Sequence, residues 1–235
     1  MDDDALARRS VAGFAETLAA LGATGVRGAG AVRTAAAVGA RVPWAADNNW
    51  VDAAVVPLGA APPAATDPAL PHCLWVVDGT AAPGRRRLHH LAMPCLALEL
   101  APDAAFSPDG PTEAPPADVL GELNDRAYRQ GAQLGPLLGA LDDDRLTRCG
   151  VRVDGAWACV ACCLRIGDDA SIQYVATDAA HRRLGYARRV LLAMLAAAQA
   201  TGARTATLQA SPDGLPLYEQ LGFRSVATLY PWVTA

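Results

Sequence analysis

The sequence predicts an α/β (α+β) protein in which strands and helices alternate along 235 residues. Short runs of β-branched and aromatic residues, typical of strands, alternate with segments whose apolar residues recur at helical spacing. The succession strand, helix, strand, helix, strand fills the C-terminal half, and a similar succession precedes it. Hydrophobic residues make up 52% of the chain, which is enough for one large core or two small ones.

The N-terminal half is predicted to contain two helices and three strands. Apolar spacing predicts the first helix, and a proline near its start favours the second. In chain order these elements are a helix over 4–21, a strand over 47–56, a strand over 74–78, a helix over 83–91 and a strand over 94–100. Residues 101–116 are rich in Pro, Ala, Asp and Gly without periodicity, which predicts a linker or long loop.

The C-terminal half gives stronger signals. In chain order it is predicted to contain a buried strand over 157–166, a strand over 172–177, a helix over 188–201, a strand over 205–210, a short helix over 212–221 and a strand or hairpin over 223–232. Gly202 ends the long helix, and Pro231 is predicted to break the last strand.

A basic turn with one glycine, residues 182–187, lies between the strand over 172–177 and the long helix. Main-chain amides at a helix N-terminus have no partner within the helix, and the helix dipole adds partial positive charge there. The segment is therefore predicted to hold a diphosphate largely through its main chain. A solvated basic turn that opens an ordinary surface helix is the alternative interpretation.

Two common phosphate ligands do not fit this turn. The chain contains no lysine, so the Gly-Lys-Ser/Thr ending of a nucleoside-triphosphate loop is missing and ATP is disfavoured. The three-glycine dinucleotide pattern is also missing, because the nearest substitute, Gly28-Ala-Gly30, ends in Val32-Arg33. NAD is therefore disfavoured as well.

The order Arg182, Gly185, Ala187 resembles the coenzyme A pyrophosphate loop of the GCN5-related N-acetyltransferases, the GNAT family. A second segment, residues 210–223, resembles the family's other signature, in which Tyr218 stands shortly before Leu-Gly-Phe. The resemblance covers roughly residues 112–235. Arg183 and Ala187 stand where the family often has glycine. The resemblance implies a mixed, mostly antiparallel central sheet flanked by helices.

The same resemblance implies the site residues. Tyr218 matches the family's proton donor to the departing thiolate, and an amide near residues 175–177 matches the donor that stabilises the oxyanion. The contacts to coenzyme A are then Val175, Ala176, Thr177, Arg182, Arg183, Leu184, Gly185, Tyr186, Ala187 and Ser211. Asn124 and Tyr128 are candidates for lining the acceptor pocket. No spacing argument selects a general base among Glu122, Asp125, Asp154 and the acidic run 142–144.

The activity implied is transfer of an acetyl or other acyl group from acetyl-CoA to an amine of a small molecule by direct attack. The packing of a helix-face aromatic is the structural alternative for Tyr218, and a solvated surface charge is the alternative for Arg182. Two rival functions stay open. One is a catalytically inactive module that senses acetyl-CoA, and the other is a structural α/β protein with a fortuitous loop.

The first half repeats the succession of elements, which predicts two similar halves in tandem. The predicted domains are 1–110, a degenerate acetyltransferase-like half or an unrelated α/β cap, and 111–235, the acetyltransferase domain. Pro83 stands in the first half where the phosphate loop would need an N–H donor, so one coenzyme site is predicted. Residues 47–50 are candidates for lining an acceptor pocket, and a turn followed by a core tryptophan is the alternative interpretation.

Charge and cysteine content bound the remaining properties. A net charge of -4 gives no reason to expect a nucleic-acid partner. An acidic start and the lack of a long apolar span predict no signal peptide, no membrane partner and a cytoplasmic protein. The six cysteines are then expected to be reduced thiols, those of 159–163 in a buried strand, and no metal site is predicted. Arg, Ala, Gly and Pro usage suggests a GC-rich bacterial source. Oligomeric state cannot be predicted from these features.

Overall fold

The computed structural model describes residues 1–129 and 131–234. The α-helices of this part are α1 (Asp3–Ala23), α2 (Ala117–Tyr128), α3 (Leu134–Gly139), α4 (Tyr186–Ala200) and α5 (Leu215–Gln220). Its strands are β1 (Gly30–Arg33), β2 (Val38–Arg41), β3 (Ala53–Val55), β4 (Cys73–Val77), β5 (Arg86–Arg87), β6 (Met93–Glu99), β7 (Leu146–Val153), β8 (Ala156–Ile166), β9 (Asp169–Thr177), β10 (Thr205–Gln209) and β11 (Arg224–Val233).

The chain folds into two compact units. One unit comprises Met1–Ala97 with Thr207–Ala235, and the other comprises Leu98–Ala206. The unit boundaries fall within β6 and β10. The C-terminal segment joins the N-terminal residues because β11 pairs with β4, β5 and β6. The domain boundary predicted at 110–111 stays a prediction.

The sheet of the first unit has the strand order β1-β2-β3-β4-β11-β6, with β5 also paired to β11. Its strand pairs are antiparallel apart from β3 and β4, which are parallel. The predicted helix over 4–21 is confirmed as α1, which begins at an Asp2 cap whose carboxylate accepts from the amide of Ala5. One face of α1, including Phe14 and Leu18, packs with Trp75 of β4 in the core.

The sheet of the second unit is the antiparallel meander β7-β8-β9. The helices α2 and α4 both contact β8 and β9. The predicted strand over 157–166 and the predicted helix over 188–201 are confirmed as β8 and α4, and α4 buries an apolar face that includes Val190, Leu191 and Leu195. The strand pairs of both units are mostly antiparallel, and helices pack against them. The predicted mixed, mostly antiparallel sheet flanked by helices is therefore confirmed.

A pair of glycines brings α2 and α3 into close contact. A Cβ atom on Gly121 would lie 2.5 Å from both the Cα and the N atom of Gly135. The carboxylate of Asp125 accepts from the amides of Leu134 at 3.0 Å and Gly135 at 3.1 Å, so it caps the start of α3. These contacts fix the position of α2 within the second unit.

The prediction of a helix over 83–91 is wrong. This segment forms the short strand β5 and one helical turn, His89–Leu91, because its main chain pairs with β11: Arg86 lies opposite Val233, and the amide of Leu88 donates to the carbonyl of Pro231. Tertiary pairing here overrides the local proline signal.

The prediction that Pro231 breaks the last strand is also wrong. β11 runs through Pro231, opposite Trp75 of β4. Along its other edge, β11 pairs with β6 as far as Leu229 and with β5 from Trp232 onward. Pro231 therefore stands where the partner strand changes, and its missing N–H costs the ladder little at that point.

Four other strands differ from the predicted pattern. The strand predicted over 47–56 is confined to β3, because residues 47–52 form turns. The hairpin of β1 and β2 and the strand β7 were not predicted, since Ala/Gly-rich and Arg-rich runs carry little periodicity. None of the helices in residues 1–129 and 131–234 is both long and apolar enough to span a bilayer.

We expect Gly121→Ala to lower the free energy of unfolding by about 1–3 kcal/mol, because the new methyl group meets the backbone of α3. Urea denaturation measures this change. Gly30→Ala is the control, because a Cβ atom there has nothing within 4 Å, and it should alter stability by no more than about 0.5 kcal/mol. Equal stability of the two variants would contradict the close approach of the helices.

Candidate active site

A β-bulge interrupts β9 at Tyr174 and Val175, close to its end at Thr177. The pairing of β8 with β9 is regular on both sides, but Tyr174 and Val175 of β9 together oppose the single residue Ala161 of β8. Tyr174 adopts φ 54°, a left-handed conformation that is uncommon for an aromatic residue. The bulge turns the peptide groups of these residues out of the regular ladder.

Two side chains of α2 hold this bulge. The buried Asn124 donates both protons of its Nδ2 group, one to the carbonyl of Leu120 and one to the carbonyl of Tyr174, each at 2.9 Å. The hydroxyl of Tyr128 donates to the carbonyl of Val175 at 2.9 Å. The two residues predicted to line an acceptor pocket thus contact the main chain of β9.

The segment that follows β9 is fixed by Asp178. Its amide donates to the carbonyl of Ala158 at 2.9 Å, and its carboxylate accepts from the amide of Ala180 at 3.0 Å. The short turn Ala179–His181 follows, and its His181 ring packs edge to face against Tyr186 with centroids 6.1 Å apart. Both ends of the loop between β9 and α4 are therefore anchored.

Within this loop, two residues in the left-handed region direct consecutive peptide groups. Arg183 has φ 65° and Gly185 has φ 85°, and α4 begins directly after Gly185 without a side-chain cap. The first α4 bond runs from the amide of Arg189 to the carbonyl of Gly185 at 3.1 Å. No hydrogen bond from the amides of residues 183–187 is found in the described part of the chain. We call this row of amides the amide cradle.

The geometry of the amide cradle suits an anion. Successive N–H groups in a turn that opens a helix form a concave surface of partial positive charge. The dipole of α4 adds to this charge. A Cβ atom on Gly185 would have nothing within 4 Å, so its surroundings are open.

Four arginines surround the amide cradle, and three of them already have partners. Arg182 donates through Nη2 to the carbonyl of Ala127 at 3.1 Å. Arg189 donates to the carboxylate of Asp109 at 3.0 Å and Arg188 lies 3.9 Å from it; the bond from Arg189 lowers the pKa of Asp109. Arg183 has no hydrogen bond or ion pair among the described residues and is exposed.

Tyr218 and Ser211 lie in the unit that contains the N-terminal residues. Tyr218 is 7% exposed, and its ring packs edge to face against Phe223 with centroids 6.1 Å apart. Its carbonyl accepts from the amide of Phe223 at 3.0 Å, which links the tyrosine to the Leu-Gly-Phe turn. Ser211 accepts from the amide of Gly214 just before α5.

Comparison with known proteins identifies the segment that contains the amide cradle. Residues 143–225 match a family model described as the acetyltransferase (GNAT) domain. Residues 143–225 thus resemble a GNAT acetyltransferase domain. A sequence comparison with curated proteins finds no match.

Solved structures show the same fold over most of the chain. A protein described as a GNAT-family acetyltransferase from Novosphingobium aromaticivorans aligns with a TM-score of 0.58 and 21% identity over 87% of this chain and 91% of its own. A GCN5-related N-acetyltransferase from Kribbella flavida aligns with a TM-score of 0.57 and 21% identity over 94% of this chain and 95% of its own. The predicted resemblance to GNAT proteins is confirmed, whereas the tandem repeat stays a prediction.

The structure brings together most of the predicted coenzyme residues of the GNAT domain. Val175 lies in the bulge, Ala176 and Thr177 follow it, and the residues from Arg182 to Ala187 form the loop and the first turn of α4. Sequence reasoning missed Tyr174, whose positive φ leaves no sequence signal. It also missed Asp178, although an aspartate just after a strand is a known turn and cap signal.

Two other groups of polar residues have structural contacts. Asp125, one of the carboxylates considered for a general base, caps α3 as described above. Cys159 and Cys162 are buried in β8, and burial raises the pKa of the Cys159 thiol to about 11. Among the described residues, no group of three or more His, Cys, Asp or Glu side chains could hold a metal ion.

We expect Arg182→Ala to lower the free energy of unfolding by about 0.5–1.5 kcal/mol, because it removes the bond to the last turn of α2. Thermal unfolding measures the change. Arg183→Ala is the control. It removes an exposed side chain from the same loop and should leave the free energy of unfolding unchanged within about 0.5 kcal/mol. A larger loss from Arg183→Ala than from Arg182→Ala would contradict this assignment.

Proposed function

We propose that this protein is an N-acetyltransferase that moves an acetyl group from acetyl-CoA to an amine of a small molecule by direct attack. The match of residues 143–225 to the GNAT family model supports an acyltransferase in general terms. The observation that carries the proposal is the amide cradle, a row of unpaired amides between the bulged strand and α4. A diphosphate is the part of acetyl-CoA that matches such a surface.

In this proposal the amides of Leu184 to Ala187 bind the diphosphate of acetyl-CoA. The exposed Arg183 adds a cation that no described side chain neutralises. A main-chain amide within residues 175–177 donates to the thioester carbonyl. This contact strengthens as negative charge develops on that oxygen during attack, so it stabilises the transition state more than the ground state.

The acyl transfer requires proton loss from the amine, formation and collapse of an oxyanion, and protonation of the departing thiolate. The amine must lose a proton to attack the thioester carbon, and we assign this proton to solvent because no carboxylate is singled out as a base. The C–N bond forms, the carbonyl oxygen becomes an oxyanion, and the nitrogen, now positively charged, releases a second proton to solvent. The carbonyl then re-forms as the C–S bond breaks. Tyr218 gives its hydroxyl proton to the departing thiolate sulfur and recovers a proton from solvent.

Two features support a small-molecule acceptor. The net charge of -4 gives no reason to expect a nucleic-acid substrate. The small number of aromatic residues, 6% of the chain, also provides few stacking platforms for bases. Release of free thiol in the presence of a panel of small amines tests this proposal, and binding of acetyl-CoA without thiol release would favour the sensor function instead.

We expect Gly185→Val to weaken acetyl-CoA binding by about tenfold or more, measured by calorimetry. A β-branched residue is strained at φ 85°, so the cradle amides turn and lose charge-assisted hydrogen bonds to phosphate. Gly167→Val is the matched control, because Gly167 also has positive φ, 59°, with nothing within 4 Å of a Cβ atom. It carries a similar strain but lies at the turn between β8 and β9. Equal affinities for the two variants would argue against the amide cradle as the diphosphate site.

We expect Tyr218→Phe to lower kcat by about a hundredfold while the Kd for acetyl-CoA stays nearly constant, because only the proton donor is lost. Thiol release under saturating substrates measures kcat. Tyr230→Phe is the control, since the Tyr230 ring stacks under Arg87 and carries no assigned proton. If Tyr218→Phe kept full turnover across the pH range, the proton-donor role would be wrong.

A further inference from the structure

The hydrogen bonds from α2 to the bulge of β9 have a consequence for the reaction. We propose that Asn124 and Tyr128 are positioning residues, which hold the carbonyls of Tyr174 and Val175 so that the amide of Val175 faces the thioester carbonyl. The proposal rests on the proposed function, because it concerns how that site is oriented. It replaces the direct contact with the acceptor amine that the sequence suggested for these two residues.

The geometry of the peptide bond fixes the direction of an amide once the carbonyl of the same peptide group is held. A peptide group is planar and trans, so its C=O and its N–H point in opposite directions. The carbonyl of Tyr174 and the amide of Val175 belong to one such group, and the carbonyl of Val175 and the amide of Ala176 belong to the next. Because Asn124 binds the carbonyl of Tyr174, it directs the amide of Val175 the opposite way, and Tyr128 holds the next peptide group, whose amide lies in the ladder opposite Val160 of β8.

The bulge needs this support because the sheet does not supply it. Tyr174 and Val175 share one partner residue on β8, so the ladder alone does not fix both peptide groups. Tyr174 also has the left-handed φ of 54°, which an aromatic residue adopts only where its surroundings hold it. The bond from Asn124 provides that constraint on the side opposite to the amide of Val175, and the bond from Tyr128 holds the carbonyl of Val175.

The donors themselves are held in place. Asn124 is 1% exposed, and its second amide proton binds the carbonyl of Leu120 one turn earlier in α2. Arg182 binds the carbonyl of Ala127, next to Tyr128, and so ties the last turn of α2 to the phosphate loop. A hydrogen bond accepted by a carbonyl also polarises its peptide group, which makes the N–H of the same group a stronger donor. Loss of the hydrogen bond to the carbonyl would therefore change both the orientation of the amide in the same peptide group and its strength as a donor.

The test uses the full chain with acetyl-CoA labelled with ¹³C at the thioester carbonyl. Three quantities are measured for each protein: the Kd by calorimetry, kcat by thiol release, and the carbonyl stretching frequency of the bound label by difference infrared spectroscopy. The variants are Tyr128→Phe, which removes one surface hydroxyl, and Asn124→Leu, which removes the buried donors. Tyr230→Phe is the matched control.

We expect the wild type to shift the bound carbonyl stretch to lower frequency than in water. Tyr128→Phe should lose part of this shift and lower kcat by about ten- to a hundredfold, with Kd changed less than about threefold. Asn124→Leu should act in the same direction if it folds. Because Tyr128→Phe removes only one hydroxyl, it decides the question even if Asn124→Leu is unfolded. Tyr230→Phe should keep the shift and kcat.

The outcomes separate this inference from the proposed function. A wild-type protein that does not bind acetyl-CoA would overturn both. A wild type that binds and turns over acetyl-CoA, together with a Tyr128→Phe variant that keeps the full carbonyl shift and kcat, would overturn the positioning role alone. A Tyr128→Phe variant with reduced stability and unchanged infrared shift would show that these bonds only hold α2 to the sheet.

Discussion

The candidate site depends on main-chain amides that the fold leaves unpaired between β9 and α4. An amide buried or packed without a partner is costly, so such a row persists only where solvent or a ligand can reach it. Here Arg183 and Gly185, both with positive φ, turn the chain into α4 without placing any carbonyl or side chain over these amides. The anchors on either side, Asp178 before the turn and the first bond of α4 after it, keep that arrangement fixed.

The arginines around this segment divide into two groups by their contacts. Arg182, Arg188 and Arg189 bind protein oxygens, so they hold the loop and the linker residue Asp109 against α4. Arg183 alone projects from the turn with no such contact among the described residues. The number of arginines in this part of the sequence is therefore larger than the number of guanidinium groups without a protein partner. The main chain supplies the larger share of recognition in this account.

The elements predicted correctly are those whose residues carry their own signals. The helix α4 has apolar spacing and a terminal glycine, β8 has a long apolar run, and the loop has a recognisable order of arginine, glycine and alanine. The helix predicted over 83–91 failed because β11 captures the main chain of that segment as a strand. The break predicted at Pro231 was wrong because β11 changes its partner strand there, so the missing N–H is tolerated.

The finest details of the site have no sequence signal. Nothing in the run Ile172-Gln-Tyr-Val marks Tyr174 as the bulged residue, because a left-handed tyrosine is imposed by the contacts of α2. The roles of Asn124 and Tyr128 were equally hidden, since their partners are carbonyls fifty and forty-seven residues away. Sequence motifs predicted the loop and the strand before it, and long-range hydrogen bonds determine how the peptide groups of that strand are oriented.

A crystal structure of the protein with bound coenzyme A tests the central claim most directly. We expect diphosphate oxygens within about 3.2 Å of the amides between Leu184 and Ala187, and the thiol end of coenzyme A directed along β9 towards Val175. Diphosphate density bound elsewhere, with those amides paired to protein carbonyls or left in solvent, would contradict it.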